Sequence, residues 1–125
     1  MIQVNVVKDF YETKKIFEEY NIVFGENCYC MSAKDGEDVL GICLFKYEED
    51  SVIIKELQPR NDLSIIDGVL RSTFFVASNR KIEKAFYDND NLINVFEKLD
   101  FIEDIEKKSL KLKKIFDSCG CCNKK

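Results

Sequence analysis

The chain has 125 residues, 46% of them hydrophobic and 34% charged, the composition of an ordinary soluble globular domain with enough apolar material for one core. A formal net charge of −4 argues against general nucleic-acid binding. The longest apolar run, residues 39–45, is far too short to span a membrane, and the opening MIQVNVVKDF lacks the basic segment and apolar core of a secretory signal. Six cysteines without such a signal place the chain in a reducing, cytoplasmic setting with mostly free thiols. The absence of histidine excludes Ser-His and Cys-His catalysis and every histidine-ligated metal site. Any general base has to be a carboxylate, a lysine, a thiolate, a tyrosine or a relayed water.

Ile2, Val4 and Val6 alternate with polar residues, which predicts a short strand. Asp9 then caps a helix, with Glu12 three residues on as an acidic form of the capping box. Phe10, Ile16, Phe17 and Tyr20 form its inner stripe, and Asn21 ends it. Asp35-Gly36 sits between two β-rich runs and signals a hairpin. The polar turn Glu48-Glu49-Asp50-Ser51 leads into a further strand, so residues 27–57 read as a three-stranded antiparallel meander. The third strand, with Val52, Ile53, Ile54 and Leu57, stops at Pro59. Apolar residues at 63, 66, 70, 74 and 77 have helical spacing, and a second set at 65, 69, 73 and 76 predicts a helix covered on more than one side. Residues 82–87 read as a strand broken by Asp88-Asn89-Asp90, and Leu92, Ile93, Phe96 and Leu99 as a second amphipathic helix. Two strands joined through a helix should be parallel neighbours with a right-handed crossover.

Residues 102–105 and 110–116 read as a closing pair of strands, with Lys111 and Lys113 opposite Leu110 and Leu112 on a solvated face. Residues 1–117 are expected to form a single α+β domain. Residues 118–125 carry no periodicity and are expected to be a flexible cysteine-rich tail. Cys28 and Cys30 share a strand face by alternation, and the hairpin should bring Cys43 close to both. The three either cluster as thiols or pack as small hydrophobes. Cys119, Cys121 and Cys122 lie among lysines, which favour thiolate and suit a soft metal or thiol exchange. Three sulfurs need a fourth ligand or a second chain for a tetrahedral metal, and an accidental cysteine-rich tail is the alternative.

The run Asn89-Asp90-Asn91-Leu92-Ile93-Asn94-Val95-Phe96-Glu97-Lys98-Leu99-Asp100-Phe101, preceded by Ile54-Lys55-Glu56-Leu57, a turn and a long helix, resembles the cofactor-binding half of the Gcn5-related N-acetyltransferases, the GNAT family. The resemblance extends from about residue 27 to about residue 115. It implies the acyl-CoA N-acyltransferase fold, a central mixed and mostly antiparallel sheet flanked by helices. It also implies acetyl-CoA held where the fourth and fifth strands splay apart, with the pyrophosphate on backbone N–H groups at a helix N-terminus. Carried onto this chain, the cofactor-binding positions are Leu57, Gln58, Arg60, Asn61, Asp62, Leu63, Ser64, Asn89 and Phe96.

Asp100 replaces the family's glycine before Phe101, at a helix C-terminal position that often needs left-handed geometry, which aspartate accepts better than most residues. Three functional features also depart from the family pattern. Asp62 and Ser64 stand where the pyrophosphate loop has glycines, and capping of the helix by Asn61 or Asp62 is the alternative reading. Pro59 has no N–H to offer a ligand. Phe96 stands where many members carry the tyrosine that protonates the leaving thiolate. The catalytic candidates are then Glu56, as base on the fourth strand or as a solvated face residue, and Tyr87, as the nearest tyrosine or as a core residue.

The implied function is acetyl transfer from acetyl-CoA to a small-molecule or protein amine, with no nucleic-acid or membrane partner. Two rivals are a non-catalytic module of the same fold, alone or as a homodimer, and a thiol or metal protein using the C-terminal cysteines.

Overall fold

The turn signals set the strand order. In the computed structural model, which describes residues 1–115, the chain runs β1 (Ile2–Val6), α1 (Phe10–Glu19), β2 (Cys28–Asp35), β3 (Asp38–Glu48), β4 (Ser51–Gln58), α2 (Leu63–Asn79), β5 (Lys84–Tyr87), a 3₁₀ turn (Asp90–Leu92), α3 (Ile93–Lys98), β6 (Ile102–Asp104) and β7 (Ser109–Leu110). These strands make one sheet in the order β1-β2-β3-β4-β5-β7-β6. Every pairing is antiparallel except β4 with β5, the pair joined through α2. The left-handed φ of 66° at Gly36 and 54° at Glu49 turns the two hairpins of the meander. The segment 118–125, including Cys119, Cys121 and Cys122, lies outside the described residues.

Helix α1 covers one face of the sheet, α2 and α3 the other. Helix α2 buries Ile66, Val69, Leu70, Thr73, Phe74 and Ala77, the wide stripe that the two interleaved sets of apolar residues predict. These side chains meet Cys43, Phe45, Ile54 and Leu57 of the sheet, together with Phe96 of α3 and Phe101. Full burial of such side chains is worth about 1.5–3 kcal/mol each, so this face carries most of the stability. The α1 face is thinner: Phe17 packs on Cys28, Cys30, Ile42 and Leu44.

The structure corrects three expectations. Phe10 is 60% exposed. Thr13 takes an inward position instead, because its hydroxyl donates back to the Asp9 carbonyl at 3.1 Å and leaves its methyl free to pack. The final strand ends at Leu110. The Leu112 N–H turns back to the Leu110 carbonyl at 3.0 Å and the Lys114 N–H to that of Lys111 at 3.1 Å, so local bonds replace the ladder. The third correction concerns Cys43. Asp35 pairs with Asp38 and Lys34 with Val39, but Ala33 pairs with Gly41, so Leu40 is an extra residue in β3. A one-residue shift moves every following side chain to the other face. Cys30 therefore pairs with Leu44 and Met31 with Cys43, and the sheet separates Cys43 from Cys28 and Cys30.

Gly41 lies under the start of α2. A β-carbon there would collide with the Ile65 side chain and come within 3.0 Å of the Gln58 carbonyl oxygen, whereas one at Gly25 would meet nothing within 4 Å. Gly41→Ala should lower stability by about 1–3 kcal/mol, the usual cost of overpacking. Gly25→Ala should be close to neutral. Denaturant midpoints of the two variants check this.

Candidate functional site

The sheet opens where β5 ends. Strands β4 and β5 pair from Ser51↔Lys84 to Ile54↔Tyr87, and β4 then runs on to Gln58 without that partner. On its other side, Phe45 pairs with Ile54 and Leu44 with Glu56. Lys55 is thus a bulge, which bends a strand and increases its twist. Two contacts fix it. The Asn89 side-chain amide donates to the Lys55 carbonyl at 3.2 Å, and the Lys55 ammonium meets the Asp88 carboxylate at 2.6 Å. Asn89 also accepts the Asn91 N–H at 3.0 Å, so one side chain ties the bulge to the turn that stops β5.

The Lys55 carbonyl points toward the β5 side, because Asn89 follows β5. In a trans peptide unit the carbonyl and the following N–H point opposite ways, so the Glu56 N–H turns toward β3. In the extended strand that continues to Gln58, the Leu57 N–H turns back to the opening beyond Tyr87. Its acceptor is Glu56 Oε1 at 2.9 Å. The same carboxylate accepts from Arg60 Nη2 at 2.8 and 3.0 Å. Glu56 is only 5% exposed, which removes the reading as a solvated face residue. Its pairing opposite Leu44 puts it on the α1 face.

Beyond Gln58 the loop is a turn, with the Asp62 N–H bonded to the Pro59 carbonyl at 3.2 Å. Asp62 caps α2: its carboxylate accepts the Ile65 N–H at 3.2 Å, which satisfies one of the orphan donors of the helix N-terminus. Asn61 and Ser64 are exposed, Leu63 and Gln58 half-buried, and Leu57 buried. Arg60 is turned from the helix start toward Glu56, and its Nε is buried without a partner among the described residues.

Tyr87 lies on the other face of the sheet from Glu56, so the two catalytic candidates are not brought together. Its ring tilts against Phe96 with centroids 5.1 Å apart. Its hydroxyl has no hydrogen-bond partner among the described residues, and burial pushes its pKa up. Phe96 is fully buried in the core.

The side chain near Glu56 that residue reasoning did not single out for chemistry is Tyr20, the C-cap of α1. Burial, then the charges of Glu19 and Glu56, raise its pKa, while Arg60 lowers it. Tyr20, Ile16 and Glu19 form one wall of an open groove, with Ile42, Gln58 and Pro59 on the other. Helical spacing on α1 marks Tyr20 only as an inward residue; its nearness to Glu56 depends on the packing of α1 across β3.

Among the described residues no group of three or more His, Cys, Asp or Glu side chains could hold a metal ion, and no helix is long and apolar enough to cross a membrane. Burial pushes the Cys30 thiol up to about 12, and burial raises Cys43 further. Since the thiolate is the nucleophile, Cys30 and Cys43 should resist a thiol reagent at pH 8 until the protein unfolds. Mass mapping of the labelled cysteines checks this. Tyr87→Phe should leave the thermal midpoint unchanged or raise it, because a buried hydroxyl without a partner costs about 1–3 kcal/mol.

No protein-family model matches the sequence, and no curated protein does. Solved structures do. The AtaT toxin, solved as a mutant bound to the C-terminus of the antitoxin AtaR, matches with a TM-score of 0.61 at 14% identity, over 92% of this chain and 94% of that one. Gcn5 from Tetrahymena matches with a TM-score of 0.60 at 16% identity, over 77% and 76% of the two chains. A Bacillus subtilis acetyltransferase in complex with CoA gives 0.55 at 13% identity, over 82% and 77%. At these identities the likeness is one of fold: the chain has the fold of the Gcn5-related N-acetyltransferases, in a divergent form.

Proposed function

We propose that this protein binds acetyl-CoA along the open edge of β4 and transfers the acetyl group to an amine. The observation that carries the reading is the parting of β4 from β5 after the Lys55 bulge, with a backbone N–H and a buried carboxylate at the opening. A strand edge is a ready partner for an extended chain that carries amides, which the pantetheine arm is. The fit is good at this edge. It is poorer at the start of α2, where Asp62 brings a carboxylate to the place a pyrophosphate would take.

Acetyl-CoA supplies the acetyl group as a thioester. Leu57 offers the N–H that would take up negative charge on the thioester oxygen, the role of an oxyanion donor. The acceptor amine approaches from the α1 face, through the groove beside Tyr20. Glu56 takes its proton as the N–C bond forms and the C–S bond breaks. The departing thiolate is protonated by Tyr87 or by water. Asn89 holds the bulge that keeps the edge open, and Gln58, Arg60, Asn61, Asp62, Leu63 and Ser64 form the turn and helix start beyond it. Phe96 backs Tyr87 from α3. The acceptor is a small-molecule or protein amine.

A second reading is a non-catalytic binding module of the same fold. It is favoured by the Asp62 cap, by the engagement of Arg60 with Glu56, and by Phe96, which has no proton to give. The thiol or metal reading rests on Cys119, Cys121 and Cys122, outside the described residues.

Thermal unfolding of the reduced protein with and without acetyl-CoA separates the first two readings. Ligand at about a hundred times its dissociation constant should add about 2.7 kcal/mol, a rise of several degrees in the midpoint. An unchanged midpoint at millimolar acetyl-CoA would remove the transferase reading and leave the binding module.

A further inference from the structure

Three candidates emerge from the molecule as a whole. The exposed pair Phe10 and Tyr11, backed by half-buried Phe24, has nothing beside it that identifies a partner, and the acidic lining of the groove beside α1 is a charged cluster alone. The third is the hydrogen bond between neighbouring residues at the mouth of the sheet. In an extended strand, a side chain stands off the face while the N–H of the next residue lies in the sheet plane. The Glu56 carboxylate must therefore fold over the edge of β4 to reach the Leu57 N–H at 2.9 Å. Arg60 holds it there, with one nitrogen 2.8 and 3.0 Å from its two oxygens. The open edge is thus already closed by a charge-assisted bond, of the stronger kind.

We propose that Glu56 competes with the acyl-CoA thioester for the Leu57 N–H, and that acyl-CoA binds by taking this donor from it. The inference rests on the reading that acyl-CoA lies along β4. It gives the Glu56–Arg60 pair two states. With the edge empty, the carboxylate spans Leu57 and Arg60. With the thioester oxygen on Leu57, the carboxylate keeps Arg60 alone and its freed lone pairs turn toward the acceptor groove. Glu56 becomes available as a base only when the acyl donor is in place. Arg60 is then a positioning residue: it keeps a displaced carboxylate from leaving the site, at the cost of holding it over the edge in the free protein.

The test is a calorimetric titration of acetyl-CoA into the reduced 125-residue protein and its Glu56→Ala and Glu56→Gln variants, with folding checked by thermal unfolding. Glu56→Ala should bind acetyl-CoA about tenfold more tightly, the equivalent of about 1.4 kcal/mol. Glu56→Gln, which keeps a weaker neutral acceptor, should show a smaller gain, and it carries the test if the alanine variant does not fold. A freed Arg60 could also attract the phosphates of CoA. The same titrations with S-acetylpantetheine, which has the thioester and the amides but no phosphate, must therefore show the same gain. Equal affinity in wild type and variants would overturn the competition while leaving acyl-CoA binding in place, and so would a gain confined to CoA. Failure of all three folded proteins to bind either compound would overturn the acyl-CoA reading, and the competition with it.

Discussion

The bulge at Lys55 is the constraint on which the rest depends. Up to Ile54, β4 is paired on both sides; after it, β4 keeps β3 and has no β5. A sheet cannot leave strand-edge donors and acceptors in its interior unpaired without a cost of about 1–3 kcal/mol each. The chain meets this demand locally. Asn89 takes the Lys55 carbonyl, and Glu56 takes the Leu57 N–H. These bonds are made by side chains, which rotate, where backbone ladders do not. The opening is thereby held in shape and yet closed by groups that can leave, which is what a binding edge in an otherwise continuous sheet requires.

The two faces contribute differently. The α2 face carries the large core, and its packing fixes the height of the helix start above β3, with Gly41 as the point of closest approach. The α1 face is thin and carries the buried ion pair: Glu56 and Arg60 meet there, and Tyr20, whose pKa feels both charges, lines an open groove on the same side. Most of the apolar burial is thus on one side of the sheet, and the Glu56–Arg60 pair is on the other.

Much of this was legible in the sequence. Asp35-Gly36 gave the meander, the stripe from Leu63 gave α2, and Asp62 was readable as its cap. Asp100, with φ of 61°, takes the left-handed position that aspartate tolerates better than most residues. The bulges were not legible. Neither Leu40 nor Lys55 is a glycine or a proline, and each bulge exists only as an offset between two paired strands. The error over Cys43 follows directly, since an unbulged hairpin would have set it opposite Cys30. The Glu56–Arg60 pair was hidden for a related reason: its partners lie on a strand and in the turn after it, and only the folding back of the Pro59 turn brings them together. Tyr20 and Phe10 both lie on the periodic stripe of α1, and periodicity alone could not say which would reach the site and which would stay in solvent.

The most direct measurement is the amide correlation spectrum of the ¹⁵N-labelled, reduced protein during a titration with acetyl-CoA. If the edge of β4 beyond the bulge is the binding edge, the Leu57 amide should move most in the sheet, with Gln58 and the first amides of α2 moving alongside it and the β1–β2 ladder unchanged. A Leu57 amide that stays in place while other resonances shift, or a spectrum that does not change at all, would contradict the account.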